Sequence, residues 1–385
     1  MSDVRGPEQL KREGEAALRS HDPSAARRLF EAAAAAGPGD AAAWWGLALA
    51  CKGLGEEVAQ LAAADKVLTV DPAHVPALMM KADHYARAGD GRAAHAFYLV
   101  ASTAREVRPE LATEVRRAQR ESERYTRSYE TQLMESLAAA GWESARKDGP
   151  FAHALDLLFG RRRIYFQEPT AFFYPELPQR QFYERESFPW LAALEAQTEA
   201  IREEFLAVAQ EGDAFRPYIE SDPSRPRREY GRLLDNPDWS AFYLIREGRT
   251  VEAAATRCPA TMAALAEVPL TDAPGRTPAV LFSLLRPKTR IPPHTGYTNA
   301  RLICHLPLVV PEGCGLRVGN ETRTWTPGRA LIFDDSMEHE AWNDSEELRA
   351  VLLFDIWRPE LTAEDRKLVA ALIAAVSDYA GGAWT

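Results

Sequence analysis

The feature that most limits how this 385-residue chain can fold is a 34-residue period in its first hundred residues. Pro38 and Pro72 stand one period apart, and blocks at 7–40, 41–74 and 75–108 bring small residues into register. Gly14, Ala48 and Ala82 share one column, Ala26 and Ala94 a second, Ala33 and Ala101 a third, and the aromatics Phe30 and Tyr98 a fourth. The middle block departs from this pattern, with Gln60, Ala64 and Val67 in the last three columns. A repeat of this length is one supersecondary unit that cannot bury its apolar face alone, so successive units must stack. The Ala-rich composition makes the units helical, and proline ends the second helix of each.

Two antiparallel helices per unit, meeting at small residues and closed by proline, resemble the tetratricopeptide repeat. Three units are about the minimum for a stable array. From about Glu110 to Ala140 the chain is charged and helical in pattern, which suits a solvated helix capping that array. Near Gly160 the composition shifts to proline and aromatic residues, as in Phe172-Phe173-Tyr174-Pro175 and Phe188-Pro189-Trp190. A helical stretch from Trp190 to about Gln210 precedes short strand signals at 280–285, 301–310, 316–318, 322–325, 330–333 and 349–357. Gly319-Asn320 and Thr326-Pro327-Gly328 supply tight turns between them. The expected fold is therefore α+β in two domains. Helical repeats occupy 1–108, a helical cap or linker 109–159, and a jelly-roll or double-stranded β-helix with flanking helices 160–385.

Composition narrows the partners. An excess of 56 acidic over 46 basic side chains, net charge -10, opposes sequence-independent binding to nucleic acid or anionic lipid. No run of 18 apolar residues occurs, and the start lacks the basic-then-apolar pattern of a secretory signal, so a cytoplasmic address is expected. Cys51, Cys258, Cys304 and Cys314 form no CxxC pair, which indicates neither a zinc site nor a disulfide framework.

Three of the eight histidines, His294, His305 and His339, fall within the strand-rich part. The context is Pro293-His294-Thr295-Gly296, then Asp334-Asp335-Ser336-Met337-Glu338-His339-Glu340, with Arg349 ten residues further on. Two imidazoles on opposed strands suit Fe(II) and leave coordination positions free, while an arginine deeper inside can take a carboxylate bidentately. The position two residues after the first histidine, where a third, carboxylate ligand usually stands, is Gly296. Asp334, Asp335 and Glu338 read as a solvated or N–H-capping turn.

The stretch from Arg286 to Glu360 is similar to the catalytic domain of the aspartyl/asparaginyl β-hydroxylases, a family that also has glycine at the third-ligand position. The matching residues include Pro293-His294-Thr295-Gly296, Thr298-Asn299, Arg301-Leu302, His305-Leu306, Asn320-Glu321-Thr322, Thr324-Trp325, Leu331 to Ser336 and Glu338-His339-Glu340. Weaker likeness extends through Ile164 to Thr170 and Asp238-Trp239-Ser240. The resemblance implies iron at His294 and His339, and 2-oxoglutarate held by Arg349 with Ser283 beside it and His305 at the carboxylate next to the keto group. It further implies Trp239 and Arg301 on the substrate side. Animal members carry further arginines, associated with acid recognition, where this chain has Ile303 and Leu234.

The implied activity is hydroxylation of an unactivated C–H bond using Fe(II), 2-oxoglutarate and O2. The first candidate is the β-carbon of Asp or Asn in a peptide or protein. A free amino acid, a lipid acyl chain, halogenation at the open metal position, and a non-catalytic repeat scaffold are the alternatives. A protein partner is expected on the repeats, with a peptide, protein or small molecule at the barrel.

Overall fold

The structure, a computed structural model, describes residues 6–104, 109–143, 149–211, 213–221, 233–273 and 275–379. The end of the third repeat block (105–108) and the first five residues, on which the expectation of no secretory signal partly rests, lie outside the described residues. The chain divides into two compact units, Met1–Ala152 and His153–Thr385.

In the first unit, α1 (Pro7–Arg19), α3 (Ala41–Leu54) and α5 (Val75–Arg87) alternate with α2 (Pro23–Ala36), α4 (Glu57–Val70) and α6 (Gly91–Ser102). Both series advance in 34-residue steps, so each sequence block is one helical hairpin. The aligned columns are the packing positions: Ala26, Ala33, Ala48, Ala64, Val67, Ala82, Ala94 and Ala101 are buried, with Phe30 and Tyr98. Phe30 lies so close to α1 and α3 that a Cβ on Gly14 or Gly46 would overlap its ring. Aspartates cap the helix starts, Asp22 accepting from the Ala25 amide at 2.9 Å and Asp90 from that of Ala93 at 2.9 Å. The long α7 (Ala112–Ala139) buries Val115, Ala118 and Ser122 and leaves most of its surface to solvent, as expected of a cap. A short α8 (Pro150–Leu158) follows.

The second unit is built on two antiparallel sheets. The larger runs β1 (Phe182–Tyr183), β10 (Leu331–Phe333), β7 (Arg301–Val309), β12 (Arg349–Trp357), β5 (Val280–Leu285), β3 (Trp239–Arg246) and β2 (Arg216–Pro217), with β4 (Arg249–Thr250) paired to β3. The smaller runs β6 (Thr289–His294), β11 (His339–Asn343), β8 (Cys314–Val318) and β9 (Glu321–Arg323). From β5 to β12 the chain passes repeatedly between the sheets. One apolar layer joins their inner faces, with Leu285, Ile303, Phe333 and Val351 from the larger and Ile291, Leu316 and Ala341 from the smaller. The outer face of the larger sheet packs on α9 (Leu191–Glu195) and α10 (Thr198–Ala209) through Leu191, Ile201, Phe205, Phe282 and Phe354. Two short helices, α11 (Glu252–Ala255) and α12 (Pro259–Ala264), lie between β4 and β5, and a last helix, α13 (Ala363–Tyr379), follows β12.

Six strands escaped the sequence reading: the two-residue β1, β2 and β4, and the longer β3, β6 and β11. Pro292 and Pro293 make β6 read as a loop, yet it lies at the edge of the smaller sheet, where a proline breaks no essential ladder bond. The four cysteines are unpaired and buried. Among the described residues no helix is long and apolar enough to cross a membrane.

Candidate active site

His294 ends β6 and His339 opens β11, so the two histidines stand on paired strands. They are direct cross-strand neighbours, and a register shift follows between His339 and Ala341. The ring centres lie 4.1 Å apart. Each Nδ1 faces the carbonyl two residues back, Pro292 at 2.8 Å for His294 and Met337 at 3.0 Å for His339. A carbonyl can only accept, so Nδ1 carries the hydrogen and donates it. Each Nε2 is left with a lone pair for a ligand. Burial lowers the pKa of both rings, that of His339 well below the usual imidazole value with His294 adding to the effect. Both are therefore neutral at physiological pH, the form that binds metal. Among the described residues no third His, Cys, Asp or Glu joins them in a metal-sized group.

Of the two readings of the turn before His339, solvated or N–H-capping, the structure has the second: Asp334 Oδ1 accepts from the Ser336 amide at 3.0 Å. Asp334 and Asp335 are buried, and only Glu338 remains at the surface, pairing with Arg317 at 2.9 Å. Asp334 meets Arg358 at 2.9 Å, with both side chains fully enclosed. Asp335 lies against Gly296, whose amide donates to the Asp335 carbonyl at 2.6 Å. A Cβ at 296 would overlap the Asp335 carboxylate, so the glycine is required by a close approach. Asp335 Oδ1 is buried without a partner. Burial raises the carboxyls of Asp335 and Asp355, and Arg301 pulls them back.

Arg301, expected on the substrate side, is held by carboxylates in this structure. Its guanidinium is committed to Asp335 at 2.7 Å and Asp355 at 2.5 Å, and lies 4.5 Å over the Tyr297 ring. It braces the turn that carries His339. Ile303, next on the same face of β7, is buried in the apolar layer, and Leu234 bridges to Ile219.

The other expected residues converge deeper in the layer between the sheets. Arg349 opens β12 opposite Leu285, and Ser283 lies two residues from that partner on the same face of β5. Ser283 Oγ accepts from the Trp239 indole at 3.3 Å, and Trp239 lies 6.4 Å from the His294 ring. Ring contacts then run from His339 to Phe333 at 5.5 Å, Phe333 to His305 at 5.0 Å, and His305 to Trp325 at 5.9 Å. The Arg349 guanidinium sits 4.9 Å over Trp325. His294, His339, His305, Trp239, Ser283 and Arg349 are thus neighbours, although 110 residues of chain separate Trp239 from Arg349.

Arg349 is 1% exposed and has no carboxylate partner, with Nε and Nη1 unbonded. Burial lowers its pKa to about 10, so it stays cationic at neutral pH. Such a charge costs several kcal/mol unless an anion joins it. His305 Nδ1 and Trp325 Nε1 are also buried and unbonded. Unmet donors around one buried cation suit a small anion with several carboxylate oxygens.

Burial, with Arg349 second, pushes His305 down to about 3. An unfolded chain takes up a proton there near pH 6.5, and the folded one refuses it until about pH 3. Stability of the metal-free protein is therefore expected to fall as pH drops from about 6.5 toward 3. His305→Gln should flatten that fall in urea unfolding between about pH 6 and 4; an unchanged slope would contradict a neutral buried imidazole.

Residues 195–359 match the family described as Aspartyl/Asparaginyl beta-hydroxylase. The human Aspartyl/asparaginyl beta-hydroxylase is 39% identical over 181 residues, 47% of this chain and 22% of that protein. The Ornithine lipid ester-linked acyl 2-hydroxylase of Rhizobium tropici is 33% identical over 189 residues, 48% of this chain and 63% of that one. The chain thus spans about a fifth of the first relative and under two thirds of the second. Among solved structures, the TPR2B domain of yeast Sti1 in its pHsp70 complex covers 32% of this chain at 19% identity, with 97% of that chain matched and a TM-score of 0.28.

Proposed function

Residues 195–359 belong to the aspartyl/asparaginyl β-hydroxylase family, and from that premise we propose that this chain is an Fe(II)- and 2-oxoglutarate-dependent dioxygenase. It hydroxylates an unactivated C–H bond, with the β-carbon of an Asp or Asn residue in a peptide as first substrate. One observation carries this reading: two paired imidazoles with free Nε2 atoms, His294 at the surface and His339 buried behind it, lead inward to an enclosed arginine without a carboxylate partner.

His294 and His339 would hold the iron, and Arg349, with Ser283 and His305, would hold 2-oxoglutarate. When bound, these groups supply the reducing power that activates dioxygen for C–H attack, with succinate and carbon dioxide as by-products. The chain's own share is positional and electrostatic. The Pro292 and Met337 carbonyls fix the tautomer and tilt of the two rings. Arg349 offers a dehydrated cation to an anion that must itself shed water. Arg301 and Asp335 tie the His339 turn to the loop after His294.

Hydroxylation is favoured over halogenation because the space beside Gly296 is filled by the Asp335 side chain, which leaves no room there for a halide. A silent scaffold is disfavoured by Arg349, since a barrel without an anionic ligand would do better with an apolar residue there. A second substrate class, an acyl chain, is supported by the likeness to the acyl hydroxylase. For the helical unit we propose a positioning role toward a protein partner; removal of that unit should impair turnover of a folded protein substrate more than of a short peptide.

The test is aerobic incubation with Fe(II) and 2-oxoglutarate. Succinate should form, and a peptide or acyl substrate should gain one oxygen whether or not chloride is present. No succinate from folded, iron-loaded protein would end the proposal, and a chlorinated product would replace hydroxylation with the alternative.

A further inference from the structure

Trp325 has no role in the proposed function, and its surroundings give it one. It lies just after β9 and is 5% exposed. Its indole nitrogen can only donate, and it has no acceptor although it is buried. A buried indole N–H ordinarily finds a partner, because leaving it unmet forfeits its hydration for nothing. The neighbours offer none: the Arg349 guanidinium over the ring donates only, and the His305 ring at 5.9 Å is itself unbonded at Nδ1. A buried, unmet donor on a ring that carries a cation on its face and has an unsatisfied imidazole beside it is placed for an anion.

We propose that Trp325 is a further binding residue for the dicarboxylate co-substrate, its indole N–H donating to the carboxylate that Arg349 holds. The indole face supports the guanidinium from one side, so the cation is fixed in direction as well as charge. The N–H then distinguishes a molecule with a distal carboxylate from a shorter 2-oxo acid. This inference rests on the 2-oxoglutarate reading above.

The experiment compares Trp325→Phe with the parent protein, both loaded with Mn(II), titrated calorimetrically with 2-oxoglutarate and with 2-oxobutyrate. Phenylalanine keeps a ring beneath Arg349 and removes only the donor. The variant should bind 2-oxoglutarate roughly ten-fold or more weakly, the usual effect of losing a hydrogen bond to a charged group, and 2-oxobutyrate as the parent does. Equal affinities for 2-oxoglutarate, or equal losses for both acids, would overturn the assignment while leaving the dioxygenase reading intact. A parent that binds no 2-oxoglutarate would overturn both. If the Phe variant does not fold, Trp325→Tyr and the 15N indole spectrum of the zinc-loaded parent decide. Of the nine tryptophan N–H signals, one should move with 2-oxoglutarate and stay with 2-oxobutyrate. No such signal would again overturn it.

Discussion

Replacing His339 with alanine is expected to strip the protein of iron while the helical unit stays folded. His339 is held on β11 by its neighbours on β6 and β8 and by its own Nδ1 bond to Met337, so its Nε2 has one direction open. The substitution leaves His294 as a single protein ligand. The loss should exceed the roughly 10–100-fold that outer-shell changes cost, and iron should wash out on desalting. Metal analysis reads the outcome, with helical circular dichroism as the folding control. Iron content equal to the parent's would refute the ligand assignment.

Arg349→Met should move two measurements in opposite directions. Affinity for 2-oxoglutarate should fall by about 2–5 kcal/mol, the range for removing one partner of a buried charge pair. The ligand-free protein should become more stable, because an enclosed guanidinium without a partner is exchanged for an apolar chain of similar length. Calorimetric titration and thermal unfolding without ligand read the two effects. A less stable variant that binds 2-oxoglutarate normally would mean that Arg349 serves the fold rather than an anion.

The helical unit was legible because its signal is periodic. One packing geometry recurs every 34 residues, so Gly14, Ala48 and Ala82 declare a shared contact without any knowledge of the whole. The site was legible where chemistry demands a rare residue type, as at His294, His339 and Arg349. Strands β3, β6 and β11 were hidden for local reasons. Pro292 and Pro293 break the pattern of β6, and only its place at a sheet edge makes them tolerable.

Charges were the least readable. Arg301 and Asp335 stand 34 residues apart, and Asp355 is 20 further on, so nothing local shows that they meet in a buried cluster. Two acidic residues in a turn ordinarily face water. Gly296 held the one usable hint, since a glycine where a ligand is expected implies that something else occupies its space. Trp325 offered no hint, because an aromatic residue in a barrel sequence reads as core.

The most direct test of the central claim is an anaerobic titration of the purified full chain with Fe(II) and 2-oxoglutarate, followed in the visible spectrum. The account predicts a weak charge-transfer band that appears only with both additions, saturates at one equivalent of each, and is absent from His339→Ala. Folded protein that takes up Fe(II) and 2-oxoglutarate without developing the band, or develops it equally in the variant, would contradict it.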